Sequence, residues 1–259
     1  MILDISKALK ITIITVCKNS EQFLVETIES VINQTYLNIE YIVIDGSSTD
    51  ATVDIIKKYA DKISYWISEE DEGMYDAINK GLKTATGDYI LVLNSDDVLA
   101  GDHVIKTIAE EIQKDGLDYY YGNIIKLKGT TNKKVKLFPV NFRQLLFSTH
   151  GTFVPHPCFF ISNKLNHLLG GYNLKFKYAS DYDYILRVLN TNGAIGKYLD
   201  VYVTKFRIHN NSITASGKID EERKKILLQH GYYQQSYLKR IFYYYLLWVY
   251  YKIINIKNR

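Results

Sequence analysis

The sequence predicts an α/β domain: a mostly parallel sheet flanked by helices, followed by a C-terminal helical extension. Three observations carry this expectation. Short apolar runs, several of them β-branched, alternate four times with segments whose apolar residues recur at helical spacing, the pattern of βαβ units. The strand runs end in polar turns rich in Asp, Ser, Asn and Glu. From about Ile219 to Ile254 the composition is helical throughout, with a strongly aromatic stretch near the end.

The first half reads element by element. Ile11 to Val16 is a β-branched run suited to a buried strand. Lys18-Asn19-Ser20 follows, with Ser20 placed to cap a helix whose Leu24, Ile28, Val31 and Ile32 share a face. Ile39 to Ile44 is the second strand and ends in Asp45-Gly46-Ser47-Ser48-Thr49-Asp50. Thr49 or Asp50 can cap the next helix, which carries Val53, Ile56 and Ala60. Ile63 to Ile67 is the third strand, followed by Glu69-Glu70-Asp71-Glu72 and a helix with Met74, Ala77, Ile78 and Leu82. Tyr89 to Leu93 is the fourth strand, and Ile105, Ile108, Ala109 and Ile112 mark the helix after it.

The second half is less regular. Asp118 to Leu127 and Lys134 to Phe138 read as a hairpin about Gly129. Phe153 to Ile161 reads as an aromatic strand entered through Pro155 and Pro157, with His156 between them as a candidate for the wall of a site. Gly170-Gly171-Tyr172 is a turn, and Ala179-Ser180-Asp181-Tyr182-Asp183-Tyr184 opens a helix through Leu186, Val188 and Leu189. A strand over Tyr198 to Phe206 leads into Arg207-Ile208-His209-Asn210-Asn211-Ser212. With no internal repeat or low-complexity linker, the chain divides into one domain over 1–215 and an aromatic, basic helical extension over 216–259.

Composition narrows the function classes. With 259 residues, 47% of them hydrophobic, the chain can bury a large core. A net charge of only +4 argues against a dedicated nucleic-acid binder. Cys17 and Cys158 are far apart and lack metal-ligand spacing, which suits a reducing cytoplasm. The N-terminus has no apolar core of signal-peptide length, and no run reaches the roughly 18 apolar residues of a bilayer span. G-x-G-x-x-G is absent after the first strand, and so is G-x-x-x-x-G-K-[ST]. Nicotinamide enzymes and P-loop ATPases are therefore disfavoured.

The most informative stretch runs from Thr86 to Asp97. Its strand ends abruptly in Asn94-Ser95-Asp96-Asp97. In open α/β sheets, ligands bind outside the carboxyl ends of strands. Two carboxylates there can hold a hard divalent cation, which in turn holds phosphates. A solvated acidic turn is the other reading, and this stretch alone leaves both open.

Taken in order, the segments resemble the family-two glycosyltransferases of the GT-A fold, over roughly Ile11 to Ser212. The resemblance rests on Thr15-Val16-Cys17-Lys18-Asn19, Ser30 to Tyr36, Tyr41 to Asp50, Asp71 to Gly81, and Ala85 through Asp97. Ile44-Asp45-Gly46-Ser47-Ser48-Thr49-Asp50 with Gly73-Met74-Tyr75-Asp76-Ala77-Ile78-Asn79-Lys80-Gly81 is similar to a bacterial subgroup that builds O-antigen and other surface-polysaccharide repeat units. The resemblance implies inverting transfer of a hexose from a UDP-sugar, with Mn2+ or Mg2+ as the divalent cation. It implies that Thr15 and Asp45 contact the nucleoside, with Asp71 beside it. Asp97 would bind the cation, with His209 as a further metal or phosphate ligand, while Asp96 faces ribose or donor sugar. Asp181 matches the base position and Asp183 is the second candidate; for both, helix capping is the structural alternative. Three positions depart from the family pattern: Gly46 and Asn94 where acids are usual, and Cys17 where an aromatic often stacks on the base.

The extension carries Ile241-Phe242-Tyr243-Tyr244-Tyr245-Leu246-Leu247-Trp248-Val249-Tyr250-Tyr251 between Lys239, Arg240 and Lys252, Lys257, Arg259. An aromatic body with cationic flanks suits a membrane headgroup boundary. That fits a polyprenyl-diphosphate-linked saccharide acceptor and a cytoplasmic protein peripheral on the inner leaflet. Packing on the domain or across a homodimer is the alternative. Two other functions compete: a sugar nucleotidyltransferase, which usually has a glycine-rich loop where Thr15 to Ser20 has none, and a non-catalytic sugar-nucleotide-binding scaffold.

Overall fold

The structure is a computed structural model and describes residues 8–147, 154–208 and 219–256. The chain begins β1 (Ile11–Cys17), α1 (Leu24–Ile32), β2 (Ile39–Asp45), α2 (Thr52–Lys58), β3 (Tyr65–Ser68), α3 (Met74–Thr84) and β4 (Tyr89–Val92). It continues through β5 (Val98–Leu99), α4 (Val104–Asp115), β6 (Tyr119–Lys128), β7 (Thr131–Val135), α5 (Phe142–Phe147), β8 (Phe159–Ser162) and α6 (Asn163–Leu169). It ends in α7 (Ser180–Asn190), β9 (Gly196–Arg207), α8 (Ile219–Gln229) and α9 (Tyr237–Ile256).

The described strands form one mixed sheet in the order β3-β2-β1-β4-β8-β6-β9-β5, with β7 added to β6. β3, β2, β1 and β4 are parallel; β8 runs antiparallel to both β4 and β6, and β9 is parallel to β6. β1 is buried along its whole length, as expected of a β-branched strand covered on both faces. The register Cys17↔Asp45, Asp45↔Ser68 and Ile14↔Val92 brings the carboxyl ends of the four parallel strands to one edge. α3 lies so close to β1 that a Cβ on Gly81 would fall 2.5 Å from Ile14 Cγ2, so only glycine permits this approach.

Two expectations change. Phe153 to Ile161 is not one strand: His156–Cys158 forms a 3₁₀ turn, and only Phe159 onward joins the sheet. Pro155 and Pro157 have no N–H to give to a ladder. The C-terminal helix is broken at Gly231, whose φ of +77° ends α8 and turns the chain through Tyr232–Gln234 into α9. α8 is part of the main body. Its Ile226 and Leu227 belong to the same core as the sheet, and Glu222 accepts the backbone N–H groups of Lys177, Tyr178 and Ala179. No described helix is long and apolar enough to cross a membrane.

Candidate active site

A cleft of about 1000 Å³ opens at the carboxyl edge of the parallel strands. It is lined by the end of β1 and the turn after it (Val16 to Ser20), the approach to α1 (Gln22, Phe23), the segment from Asp71 to Tyr75, and Asn94, Ser95 and Asp96 after β4. It is also lined by Ile124 and Lys126 of β6, Val135 at the end of β7 and Leu137 beyond it, by Pro155 to Pro157, and by Ala179, Asp181 and Tyr182 at the start of α7. Phe206, Arg207, Ile219 and Arg223 complete it.

The sequence-derived candidates separate into those that face the cleft and those that build it. Asp71, Asp96 and Asp181 line it. Thr15 does not: it is fully buried two residues inside the end of β1, where it accepts a hydrogen bond from Tyr41 Oη at 3.2 Å. The cleft begins at Val16. Asp45 is also fully buried, and its carboxylate accepts Ser48 N–H at 3.0 Å and the hydroxyls of Ser48 and Ser68. It shapes the turn that carries Ser47 at φ +56°, the loop-forming use of Asp. The neighbouring Gly46 explains one departure from the family pattern. A Cβ there would lie 2.2 Å from Asp71 Oδ2, so the Asp71 carboxylate occupies the space that a side chain at 46 would need.

The acidic turn after β4 reverses the expected assignment. Asp97, rather than facing the cleft, is fully buried and accepts Arg207 N–H at 2.9 Å and Asn94 Nδ2–H at 3.2 Å. Burial, and then the neighbouring Asp96 charge, push its carboxyl well above the usual range, against the pull of those two donors. Asp96 is the carboxylate of this turn on the cleft wall. Arg207 ties the end of β9 to the same turn, its Nε donating to Asp96 O at 3.0 Å and its Nη2 to Glu26 at 2.6 Å. The guanidinium lies 4.4 Å from the centre of the Phe23 ring.

Asp181 and Asp183 also part. Asp181 stands in the first turn of α7 at the cleft, and Tyr75 Oη donates to its Oδ1 at 3.0 Å. Its Oδ2 lies 3.3 Å from His156 Nδ1. Asp183 is fully buried and pairs with Arg187 Nε and His230 Nε2, each at 2.9 Å. Burial raises its carboxyl, but the bond from His230 and the Arg187 charge outweigh that and hold it below the ordinary value. Asp183 therefore anchors α7 rather than facing substrate. His209 lies outside the described residues.

Tyr75 and Arg207 are the site residues that sequence reasoning did not single out. Tyr75 lies inside a family segment without marking itself as functional. His156, expected on the wall of a site from its place between two prolines, does line the cleft.

Among the described residues, no three His, Cys, Asp or Glu side chains form a ready metal cage. Mg²⁺-type cations are usually held by one or two carboxylates together with substrate phosphates and water. A single wall carboxylate, Asp96, facing room for a diphosphate fits that donor set, and Asp97 in its present hydrogen bonds does not.

The model for glycosyl transferase family 2 matches residues 12–168, and the chain belongs to that family. It is 34% identical to an uncharacterized glycosyltransferase of Mycobacterium tuberculosis over 180 residues, 68% of each chain. It is 28% identical to a PGL/p-HBAD biosynthesis glycosyltransferase of Mycobacterium bovis over 183 residues, 69% of each. Among solved structures it resembles S. aureus TarS 1–349 in complex with UDP-GlcNAc (TM-score 0.66, 17% identity, 92% of this chain and 79% of that one). It also resembles the mannosyltransferase PcManGT from Pyrobaculum calidifontis in complex with GDP-Man and Mn2+ (TM-score 0.65, 15% identity, 89% and 66%). These neighbours share its GT-A, Rossmann-like fold of a curled central sheet flanked by helices.

Proposed function

We propose that this family-two glycosyltransferase moves a hexose from a UDP-sugar to a saccharide acceptor with inversion, by a single displacement. The observation that carries the reading is Asp181, a carboxylate that lines the same cleft as the turn after β4 but is carried on a different element, the first turn of α7. An inverting transfer needs its base and its leaving group on opposite faces of the anomeric carbon. The acceptor hydroxyl attacks the anomeric carbon on one face while the sugar–phosphate bond breaks on the other. Asp181 takes the hydroxyl proton, and the nucleoside diphosphate departs along the β4 turn. A positioned base of this kind is worth about 10²- to 10⁴-fold.

The remaining residues bind and orient. Asp71 and the Val16 to Ser20 turn receive the nucleoside, and Arg207 stands beside Asp96 for the phosphates. A divalent cation, Mn²⁺ or Mg²⁺, would be held by Asp96 and would neutralise charge on the leaving diphosphate when bound. Tyr75 orients the Asp181 carboxylate. TarS bound to UDP-GlcNAc and PcManGT bound to GDP-Man and Mn²⁺ support a nucleotide-sugar donor and a cation on this fold. Surface-polysaccharide assembly on a polyprenyl-diphosphate-linked acceptor at the inner leaflet remains our reading of the C-terminal segment. It is supported by the run of exposed Leu238, Phe242, Tyr245, Leu246 and Val249 on α9.

The test is release of nucleoside diphosphate from a panel of UDP-, GDP- and dTDP-sugars, with manganese and with a chelator. Metal-dependent release of UDP from one hexose donor is expected. Release confined to GDP- or dTDP-sugars would overturn the donor class, and no release with no nucleotide binding would overturn the enzyme reading.

A further inference from the structure

His156 bridges the turn after β4 and the start of α7. Its Nε2 lies 3.1 Å from Asn94 Oδ1, and its Nδ1 lies 3.3 Å from Asp181 Oδ2. The ring is nearly buried, at 8% exposure. It shares a small apolar void with Tyr172, Tyr184, Leu82, Ile90 and Phe159. It is locked in place by the 3₁₀ turn that Pro155 and Pro157 impose.

Donor and acceptor logic sets the state of this chain. Asn94 Nδ2 donates to Asp97 Oδ2, which leaves Asn94 Oδ1 turned toward the ring. An amide oxygen only accepts, so His156 must donate from Nε2. The nitrogen left to face the Asp181 carboxylate is Nδ1. A bare Nδ1 there would set one lone pair against another, so the contact calls for a proton between Nδ1 and Oδ2.

We propose that His156 is the positioning residue for the base. It is anchored at Nε2 by Asn94 and donates from Nδ1 to Asp181, so that the β4 turn and the α7 carboxylate are held at one spacing across the reacting centre. The assignment rests on the reading of Asp181 as base. It gives the departure at position 94 a purpose. Asn94 supplies in one side chain a donor for Asp97 and an acceptor for His156. A carboxylate there could not donate, and would add a negative charge beside Asp96. Tyr75 holds the other carboxylate oxygen, so both oxygens of Asp181 are oriented before acceptor arrives. Misplacement of a reacting group by about 1 Å can cost about 100-fold in rate, which is the scale of effect that such a clamp protects.

The experiment is ring ¹⁵N spectroscopy of histidine-labelled protein, with the His156 signal assigned by its loss in His156→Gln. The expected ring carries a proton at Nε2, donated to Asn94, and a proton at Nδ1 in a hydrogen bond to Asp181, and its Nδ1 signal shifts in Asp181→Asn. A ring with bare Nε2 and a proton at Nδ1 would mean that Asn94 is turned the other way and would overturn the proposal. So would an Nδ1 signal indifferent to Asp181→Asn. Kinetics with the UDP-sugar that the wild type consumes separate the two levels of the argument. His156→Ala should lose about 10- to 100-fold in kcat. UDP affinity by calorimetry should stay within about twofold, and His156→Gln, whose amide can still donate, should lose less. If Asp181→Asn is inactive while His156→Ala keeps full kcat, the positioning role fails and the base survives. If Asp181→Asn turns over normally, the proposed mechanism itself fails.

Discussion

Asp181 and Asp183 stand two residues apart on one helix and do different work, because that spacing turns their side chains to nearly opposite faces of α7, one at the cleft and one in the interior. Asp183 is fully buried against Arg187 and His230, whereas Asp181 keeps part of its carboxylate at the cleft. Removing one partner of a buried pair strands a charge and typically costs about 3 to 5 kcal/mol. Asp183→Ala should therefore lower the unfolding free energy by that amount in urea. Asp181→Asn, isosteric and on the cleft lining, should stay within about 1 kcal/mol of wild type. Equal stability losses in both variants would contradict the division of roles. The sequence showed two acids at a helix start, with Asp181 at the matching position. It could not show which face of the helix each takes once α8 covers one side. The same limit applies to Asp96 and Asp97. Adjacent residues in a tight turn point to opposite sides, and the partner that claims Asp97, the backbone of Arg207, is 110 residues away. Nor could the sequence show that Thr15 and Asp45, near the carboxyl ends of β1 and β2, are fully buried.

The elements were far more legible than the side chains. β1, β2, β4, α3 and α4 stand where β-branched runs and helical spacing put them, since the strands are buried on both faces and each helix buries a single apolar face. The failures are at prolines and glycines whose effect depends on context: the 3₁₀ turn at His156 and the break at Gly231. The sheet also contains a buried acid that periodicity cannot interpret. Glu40 on β2 accepts Lys10 Nζ at 2.9 Å, Thr12 Oγ1 at 2.6 Å and Thr86 N at 2.7 Å. It thereby ties the amino ends of β1 and β2 to the turn before β4. Burial pushes its carboxyl up, but these donors win and pull it from 4.5 to about 2. Because the folded value is depressed, the stabilisation is complete above about pH 4.5 and is lost as pH falls toward about 2. At 1.36 kcal/mol per unit, that is about 3 kcal/mol. Glu40→Gln should flatten the acid limb of the stability curve between about pH 5 and pH 2, measured by denaturant titration across that range. An unchanged limb would show that other carboxylates dominate it.

At the scale of the whole molecule, the chain order predicts the site because parallel strands deliver their carboxyl ends to one edge. The β6–β7 hairpin, the 3₁₀ turn and α7 complete the cleft lining there. α8 belongs to this machinery through Glu222, which holds the backbone leading into α7. α9 projects from it with Tyr243 stacked on Phe147 at 4.8 Å and an apolar face outward. If that face meets the headgroup boundary, the protein should co-float with vesicles containing anionic lipid. The triple substitution Phe242→Glu, Leu246→Glu, Val249→Glu should abolish flotation while leaving release of UDP from the donor unchanged. Flotation retained in the triple variant would move the membrane contact elsewhere.

The central claim is that Asp181 is the base of an inverting sugar transfer whose donor rests on the β4 turn. The most direct test is kcat for UDP-sugar turnover by wild type and Asp181→Asn, with UDP affinity measured on both. The account predicts a loss of about 10²- to 10⁴-fold in kcat with UDP affinity within about twofold. A folded Asp181→Asn protein that turns over at the wild-type rate would contradict it.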